Sequence, residues 1–227
     1  VIPADLPIKI CYEDDWLLIV NKPAGQLVHP TVKNEQDTLA NAVMGYYRRI
    51  NQPYAFHPVY SLDRQTSGLL LIAKLPQLQP ALSSHEHLQR SYLALAEGRL
   101  QPPDGRIDAP IARRTGSIIE RCISPAGQPA VTDYHTLAAS STHSLLQLQL
   151  QTGRTHQIRV HLAYQKHPLM GDDLYGGDCC MLHRQALHSW KLKFIHPVTK
   201  ESLQCHAPLP EDLKKICTFL GISYSFD

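Results

Sequence analysis

The 227-residue sequence is 43% hydrophobic and 19% charged, which is typical of a soluble globular protein of one large or two small domains. Its longest apolar runs, WLLIV and GLLLIA, are far too short to cross a bilayer. No basic segment followed by an apolar one marks a signal peptide at the N-terminus. Six scattered cysteines form no disulfide framework, so we expect a reducing, cytoplasmic location without a membrane. A net charge of +2 does not by itself indicate nucleic-acid binding, because a passive binder usually carries a stronger basic excess. It does not forbid such binding either, since an enzyme must release its product.

The first half of the chain alternates strand and helix signals irregularly. TLANAVMGYYRRI (residues 38–50) has apolar residues at helical spacing, with Asp37 and Thr38 as possible N-cap residues. Three apolar or alternating runs predict strands, namely WLLIVNKPAG (16–25), GLLLIAKLP (68–76) and SYLALAEG (91–98).

The second half begins with residues 101–129, which are rich in proline, glycine and arginine and predict loops or a small hairpin. HSLLQLQLQTGR (143–154) is the clearest strand, because leucines and glutamines alternate along it. The remaining predicted elements are a helix in RTHQIRVHLAYQKH (154–167), a strand in WKLKFIHP (190–197), and a helix in EDLKKICTFLG (211–221) stopped by Gly221. Strands outnumber helices without regular alternation, which favours an α+β fold with a mixed or antiparallel sheet.

Several familiar site motifs are missing from the sequence. It has no GxGxxG after a strand, no GxxxxGK[ST], no GxSxG and no HExxH, which argues against nucleotide cofactors and zinc-protease chemistry. Cys179, Cys180, His183 and His188 are close together, but adjacent cysteines chelate poorly and no CxxC pair completes a set. We therefore expect no metal. The stretch His85-Glu86-His87 is expected to lie on the surface.

Asp63 raises a question of its own, because it stands in YSLDRQTSG directly before the apolar run LLLIAK. An aspartate before Thr-Ser-Gly can bond the backbone of its own turn, and local chemistry alone favours this capping role. By the same local argument Tyr92 is a half-buried packing residue and Arg159 a surface charge. RTHQIRVH (154–161) holds two arginines and two histidines on one packed element, which suits either an anionic substrate or a structural salt bridge.

Taken together, seven segments resemble RNA pseudouridine synthases of the RluA type, from near the first residue to the last helix. In order they are NKPAG with VHP (21–30), LDRQTSGLLLIAK (62–74), RSYLALAEG (90–98), TGRTHQIRVHL (152–162), HPLMGDDLYGG (167–177), RQALHSWKLKFIHPVT (184–199) and APLPEDL (207–213).

The resemblance implies one catalytic domain over residues 1–227, built on a mixed, mostly antiparallel central sheet with flanking helices and a catalytic cleft. It implies a cofactor-free isomerase acting on ribosomal or transfer RNA. No S4-like RNA-binding segment is visible, and a monomer is expected. The resemblance also implies catalytic roles for Asp63, Tyr92 and Arg159. Residues implied to bind the RNA or its uridine are Arg64, Thr66, Arg154 and His156, and Arg154 either orders its turn or contacts RNA.

These residue types suit the reaction that the resemblance implies. Forming pseudouridine breaks the C1′–N1 bond, turns the uracil and joins C5 to C1′, without redox change or added group. A carboxylate such as Asp63 can act as nucleophile at C1′ of the ribose or C6 of the base, and both targets stay open. An arginine partner at Arg159 favours the ionised carboxylate. Tyr92 can stack on the uracil and take part in proton removal.

Ser61 departs from the family pattern, in which an arginine precedes the aspartate by two residues and fills the gap left by a flipped base. Flipping costs about a few kcal/mol. Either another side chain fills the gap, or the substrate uridine lies in an open loop, or activity is reduced or lost. The last case defines the main alternative, an RNA-binding or RNA-folding factor on the same scaffold. A nucleoside hydrolase, which would release free uracil, is a third hypothesis.

Overall fold

A computed structural model of the protein describes residues 1–33, 35–83 and 88–225, so the His85 to His87 prediction lies outside the described residues. Within these ranges the chain forms twelve strands and four α-helices. In chain order they are β1 (Ile10–Glu13), β2 (Leu17–Lys22), α1 (Leu39–Arg49), β3 (His57–Pro58), β4 (Ser67–Ala73), α2 (Gln79–Leu82), β5 (Leu88–Glu97), β6 (Asp104–Asp108), β7 (Ile111–Arg113), β8 (Arg121–Ile123), β9 (Val131–Ala139), β10 (His143–Leu150), α3 (Gln157–Tyr164), β11 (Leu187–Ile195), β12 (Ser202–His206) and α4 (Glu211–Phe219).

The chain divides into two compact units, and each is described by itself. Unit 1 comprises Val1–Arg90 and Ser189–Pro208, and unit 2 comprises Ser91–His188 and Leu209–Asp227. Strands outnumber helices and most strand pairs are antiparallel, which confirms the predicted α+β class with a mixed, mostly antiparallel sheet.

Unit 1 is built around two buried strands. β2 pairs antiparallel with both β1 and β4, and β12 pairs antiparallel with β11. Every residue of β4 is buried, so its continuous apolar run reflects burial on both faces. Helix α1 begins with a capping box in which Thr38 and Asn41 bond each other's backbone, confirming Thr38 as the N-cap.

Unit 2 contains the antiparallel strand order β5-β10-β9-β6 and a separate β7–β8 hairpin. Leu146, Leu148 and Leu150 of β10 are buried while Gln147 and Gln149 are partly exposed, as the alternation predicts. Helix α4 ends at Phe219, and Gly221 follows with a left-handed φ of 67°, as expected of a helix stop.

Five strands were not predicted from the sequence. The predicted small hairpin within residues 101–129 is present as β7–β8, but Asp104–Asp108 forms β6, where loops were expected. β1, the two-residue β3, β9 and β12 were also missed. β6 and β12 alternate exposed residues with partly or fully buried ones and carry few apolar side chains. Their pairing therefore depends on neighbouring strands, which a local hydrophobic pattern does not encode.

Candidate active site

Asp63 lies in the loop between β3 and β4 of unit 1, directly before the buried strand. The loop makes a tight turn, closed by the main-chain N–H of Thr66, which donates to the main-chain oxygen of Asp63 over 3.1 Å. Asp63 is partly exposed whereas Thr66 is 2% exposed. The turn thus holds a carboxylate at the edge of a rigid, apolar strand.

A buried lysine, not singled out from the sequence, anchors this loop. The Lys22 side chain is fully buried, and its Nζ donates to the main-chain oxygens of Pro23 at 2.9 Å, Gln26 at 2.8 Å and Arg64 at 3.0 Å. The N–H of Gly25 also donates to the Arg64 oxygen, at 2.9 Å. The turn after β2 is therefore fastened to the peptide that follows Asp63. The NKPAG segment was the available signal for this role.

The start of β4 is closely packed against β11 and tied to it by hydrogen bonds. Gly68 has a left-handed φ of 111°, and a Cβ placed there would come within 2.2 Å of the main-chain oxygen of Ser189. The hydroxyls of Tyr60 and Ser189 donate to the main-chain oxygen of Leu69, at 2.8 Å and 2.9 Å. The Arg90 guanidinium lies 4.8 Å from the centre of the Tyr60 ring. These contacts fix both sides of the Asp63 loop within unit 1.

Arg64, expected to bind RNA, is about half exposed, with Nη2 3.8 Å from Glu35 Oε1. The main-chain N–H of Thr31 and the Arg64 cation lower the pKa of Glu35, so this carboxylate is ionised beside Arg64. A weak, exposed pair of this kind can exchange Glu35 for a phosphate at little cost.

Tyr92 lies in β5 of unit 2, opposite Leu148 of β10, and is 4% exposed. It is thus more deeply buried than the half-buried packing residue expected from local chemistry. A tyrosine in this position is held by strand pairing on a rigid element.

Arg159 is buried on α3, so the local expectation of a surface charge is wrong. Its guanidinium makes a bidentate ion pair with Asp172, from Nε to Oδ2 at 2.7 Å and from Nη2 to Oδ1 at 2.8 Å. Asp172 is 1% exposed. The two-bond geometry is the one that the planar guanidinium favours with carboxylates. Asp172 was not predicted as a site residue, although it lies in the HPLMGDDLYGG segment.

Tyr175 joins three groups around Arg159. Its ring centre lies 5.0 Å from the Arg159 guanidinium carbon. Its hydroxyl accepts the main-chain N–H of Arg121 at 2.9 Å and forms a 2.7 Å hydrogen bond with Nδ1 of His156. His156 itself has a left-handed φ of 57° at the start of α3, which is unusual for a residue with a side chain.

The turn before α3 is ordered by polar contacts within unit 2. Arg154 donates from Nε to the Pro129 oxygen at 2.9 Å, so the turn-ordering role considered for it is present. The Gln157 side chain accepts from the Arg154 N–H and the Thr152 hydroxyl and donates to β9. Burial lowers the pKa of His161, which bonds the Ala109 oxygen and Thr132, so this histidine is neutral and structural.

Within unit 2 the structure thus gathers Arg159, His156, Asp172 and Tyr175, while Asp63 belongs to unit 1. The pairing of Asp63 with Arg159 and Tyr92 stays a prediction. In the described part of the chain, no three His, Cys, Asp or Glu side chains form a group that could hold a metal ion. None of the described helices is long and apolar enough to span a membrane.

Comparison with known proteins gives a consistent result. A sequence model of the family described as RNA pseudouridylate synthase matches residues 16–164. The RNA pseudouridine synthase YjbO of Bacillus subtilis is 43% identical over 214 residues, covering 93% of this chain and 76% of that protein. Ribosomal large subunit pseudouridine synthase D of Haemophilus ducreyi is 36% identical over 239 residues, covering 98% and 73%. The solved structure of human RNA Pseudouridylate Synthase Domain Containing 4 has a TM-score of 0.78 at 22% identity, covering 96% of this chain and 95% of that one, and supports the fold alone.

Proposed function

The chain belongs to the RNA pseudouridylate synthase family and is of the RluA type, and from this premise we propose that it converts uridine to pseudouridine with Asp63 as the nucleophile. The observation that carries the proposal is the coincidence of the family match with a loop that presents Asp63 at a rigid, buried strand. The enzyme class, an RNA pseudouridine synthase, follows from the family itself.

The proposed roles follow from the chemistry of each group. Asp63 attacks carbon in the ribose or the base, and its turn, anchored by Lys22, keeps the carboxylate in place. The guanidinium of Arg159 pairs with that carboxylate and favours its ionised form. Tyr92, buried on β5, stacks against the uracil and takes part in moving a proton, at C2′ or later at C5. The sum of these steps is an isomerisation that needs no cofactor.

The proposed substrate is ribosomal RNA of the large subunit. Several relatives that are 36–39% identical to this chain are named ribosomal large subunit pseudouridine synthase D, which supports this choice over transfer RNA. Arg64, Thr66, Arg154 and His156 are proposed to hold the RNA or its uridine. Thr66 is buried, so we assign it the support of the loop around a bound uridine.

The test is a comparative map of pseudouridines in stable RNAs from cells that lack the gene. Complementation with the wild-type gene is expected to restore at least one large-subunit site, and complementation with Asp63→Ala is expected to leave it as uridine. Identical maps in all strains would refute the proposed function. A restored site in transfer RNA would leave the chemistry standing and correct the substrate.

A second candidate function is an RNA-binding or RNA-folding factor with reduced catalysis. The observation that favours it is Ser61, which is exposed where the family pattern has an arginine. In that case, Asp63→Ala cells grow and process RNA as the wild type does, whereas deletion of the whole gene has a phenotype. Release of free uracil from RNA would instead identify a nucleoside hydrolase.

We also propose that both compact units form one catalytic domain, residues 1–227, because the family match begins in unit 1 and ends in unit 2. A cytoplasmic location is proposed because the six cysteines are free thiols, as expected in a reducing compartment. The predicted monomer is checked by light scattering of the purified protein.

A further inference from the structure

The Arg159 guanidinium is held by a carboxylate that is itself held rigidly. The main-chain oxygen of Asp172 accepts the N–H groups of Tyr175 at 3.2 Å and Gly177 at 2.8 Å, and the Asp172 N–H donates to the main-chain oxygen of Leu169 at 3.1 Å. A Cβ on Gly177 would come within 2.0 Å of the Leu169 oxygen. The segment is therefore closed on itself and fixes the position of the Asp172 side chain.

The ion pair between Asp172 and Arg159 fixes the orientation of the Arg159 guanidinium as well as its position. Both carboxylate oxygens are engaged, by Nε and Nη2, so the guanidinium plane cannot rotate without breaking one bond. The opposite edge of the guanidinium, which carries Nη1, is thereby aimed in one direction. A single hydrogen bond would leave that rotation open.

Tyr175 covers the same guanidinium from its face. The ring lies 5.0 Å from the guanidinium carbon, a distance suited to attraction between a cation and an aromatic face. The hydroxyl keeps the ring in place, because it bonds both the β8 backbone at Arg121 and the ring of His156. Arg159 is thus held along one edge by Asp172 and across one face by Tyr175.

We propose that Asp172 and Tyr175 are positioning residues, which hold the Arg159 guanidinium in the orientation that the Asp63 carboxylate requires. The proposal rests on the proposed function, in which Arg159 pairs with Asp63. It gives the GDDLY part of HPLMGDDLYGG a role in the reaction through Arg159, with no contact to RNA needed.

A second ion pair of unit 2 provides a control with the same bidentate geometry, although the Asp212 side chain is 42% exposed and the Asp172 side chain is fully buried. Arg184 binds Asp212 through the same atoms, Nε to Oδ2 at 2.7 Å and Nη2 to Oδ1 at 3.1 Å. Asp212 lies at the start of α4 and has no proposed role in the reaction. If bidentate pairs in this unit serve stability alone, neither Asp172→Asn nor Asp212→Asn should lower the single-turnover rate of the folded protein.

The experiment measures three quantities for wild type, Asp172→Asn, Asp212→Asn, Tyr175→Phe, Tyr175→Leu and Asp63→Ala. The first is the single-turnover rate of tritium release from large-subunit ribosomal RNA, transcribed with tritium at C5 of uridine. C5 loses its hydrogen when it joins C1′, so this release reports the isomerisation. The second is the dissociation constant for the same RNA, and the third is the melting temperature.

Asp172→Asn is expected to lower the single-turnover rate about 100-fold, as misplacement of a reacting pair does, with an unchanged dissociation constant. Tyr175→Phe keeps the ring but removes both hydrogen bonds of the hydroxyl, and its single-turnover rate should fall about tenfold. Tyr175→Leu, which also removes the ring, should lower the rate further. Asp212→Asn should lower the melting temperature and keep the rate within about twofold of wild type.

Equal rates in Asp172→Asn and Asp212→Asn would overturn the assignment of Asp172. If Asp172→Asn does not fold, the tyrosine variants decide, and a wild-type rate in Tyr175→Leu overturns the proposal. A weaker RNA affinity with an unchanged rate also overturns it. Asp63→Ala separates the two hypotheses: full activity there refutes the proposed function and with it this inference, whereas inactivity beside normal Asp172 and Tyr175 variants refutes the inference alone.

Discussion

Replacing Lys22 with methionine tests whether a buried cation holds the Asp63 loop. Methionine keeps most of the chain length and removes the ammonium group. The main-chain oxygens of Pro23, Gln26 and Arg64 each lose a charged donor that lies 2.8 to 3.0 Å away. The Arg64 oxygen keeps the N–H of Gly25, so this carbonyl retains a partner.

The expected loss of stability can be worked out from these contacts. A hydrogen bond to a charged group contributes about 1.5–3 kcal/mol, so three such bonds lose several kcal/mol in gross terms. Removing the fully buried ammonium of Lys22 also removes its desolvation cost, which is about several kcal/mol and offsets part of this loss. We expect a net loss of about 3 kcal/mol, and hence a melting temperature lower by about 6–12 °C for a chain of this size.

The assay is thermal unfolding together with tritium release from ribosomal RNA, with Lys214→Met as the control. Lys214 is exposed and pairs with Glu211 one helical turn away, so its loss should change stability by less than about 0.5 kcal/mol. Lys22→Met should also lower the isomerisation rate, because the anchored Arg64 carbonyl directly follows Asp63. Melting temperatures of the two variants that agree within about 2 °C would refute the reasoning.

Three further variants test single positions of the chain. Gly68→Ala should lower the yield of folded protein sharply, because its Cβ would lie 2.2 Å from a β11 carbonyl oxygen. Gly116 also has a left-handed φ but has no atom within 4 Å of its Cβ position, so Gly116→Ala should lower the free energy of unfolding by only about 1–2 kcal/mol. Equal effects of the two variants would contradict the clash. The Cys205 thiol donates a hydrogen bond that lowers the pKa of Cys11 to about 7, so the rate of Cys11 alkylation should rise with pH around 7. Cys205→Ala should move that rise to higher pH, and an unchanged pH dependence of alkylation would count against the contact. Ser61→Arg should speed isomerisation of a uridine inside a helix and leave a loop uridine unchanged, and equal acceleration of both would exclude a base-flipping role.

The strands that could be predicted from the sequence are those whose own side chains decide their burial. β4 is buried on both faces and appears as a continuous apolar run, and β10 alternates because one face is buried. β6 behaves differently. It pairs with β9, and across the pair Arg106 forms a bidentate contact with Asp133. Such a strand is recruited by its partner, so its local pattern is that of a loop.

The residues of the candidate site also differ in how far local sequence could predict them. Asp63 stands in a segment whose turn chemistry is local, so its position before a buried strand could be predicted. The family resemblance supplied its role, together with Tyr92 and Arg159. Local chemistry assigned Arg159 to the surface because charged side chains are rarely buried unless they are paired. Its pair, Asp172, is 13 residues away, beyond the range of a helical or strand pattern.

Two of the buried cations, Lys22 and Arg159, show why the partner of a buried charge had to be read from the structure. Lys22 has three donors on a compact head, and three carbonyls surround it, one of them 42 residues away in the chain. Arg159 has a planar fork, and a carboxylate matches two of its donors side by side. Each arrangement uses a geometry that the other side chain lacks, so exchanging lysine and arginine would fail at either position. A sequence pattern records only that a cation is present; the shape of its partner decides whether that cation anchors a loop or aims a guanidinium.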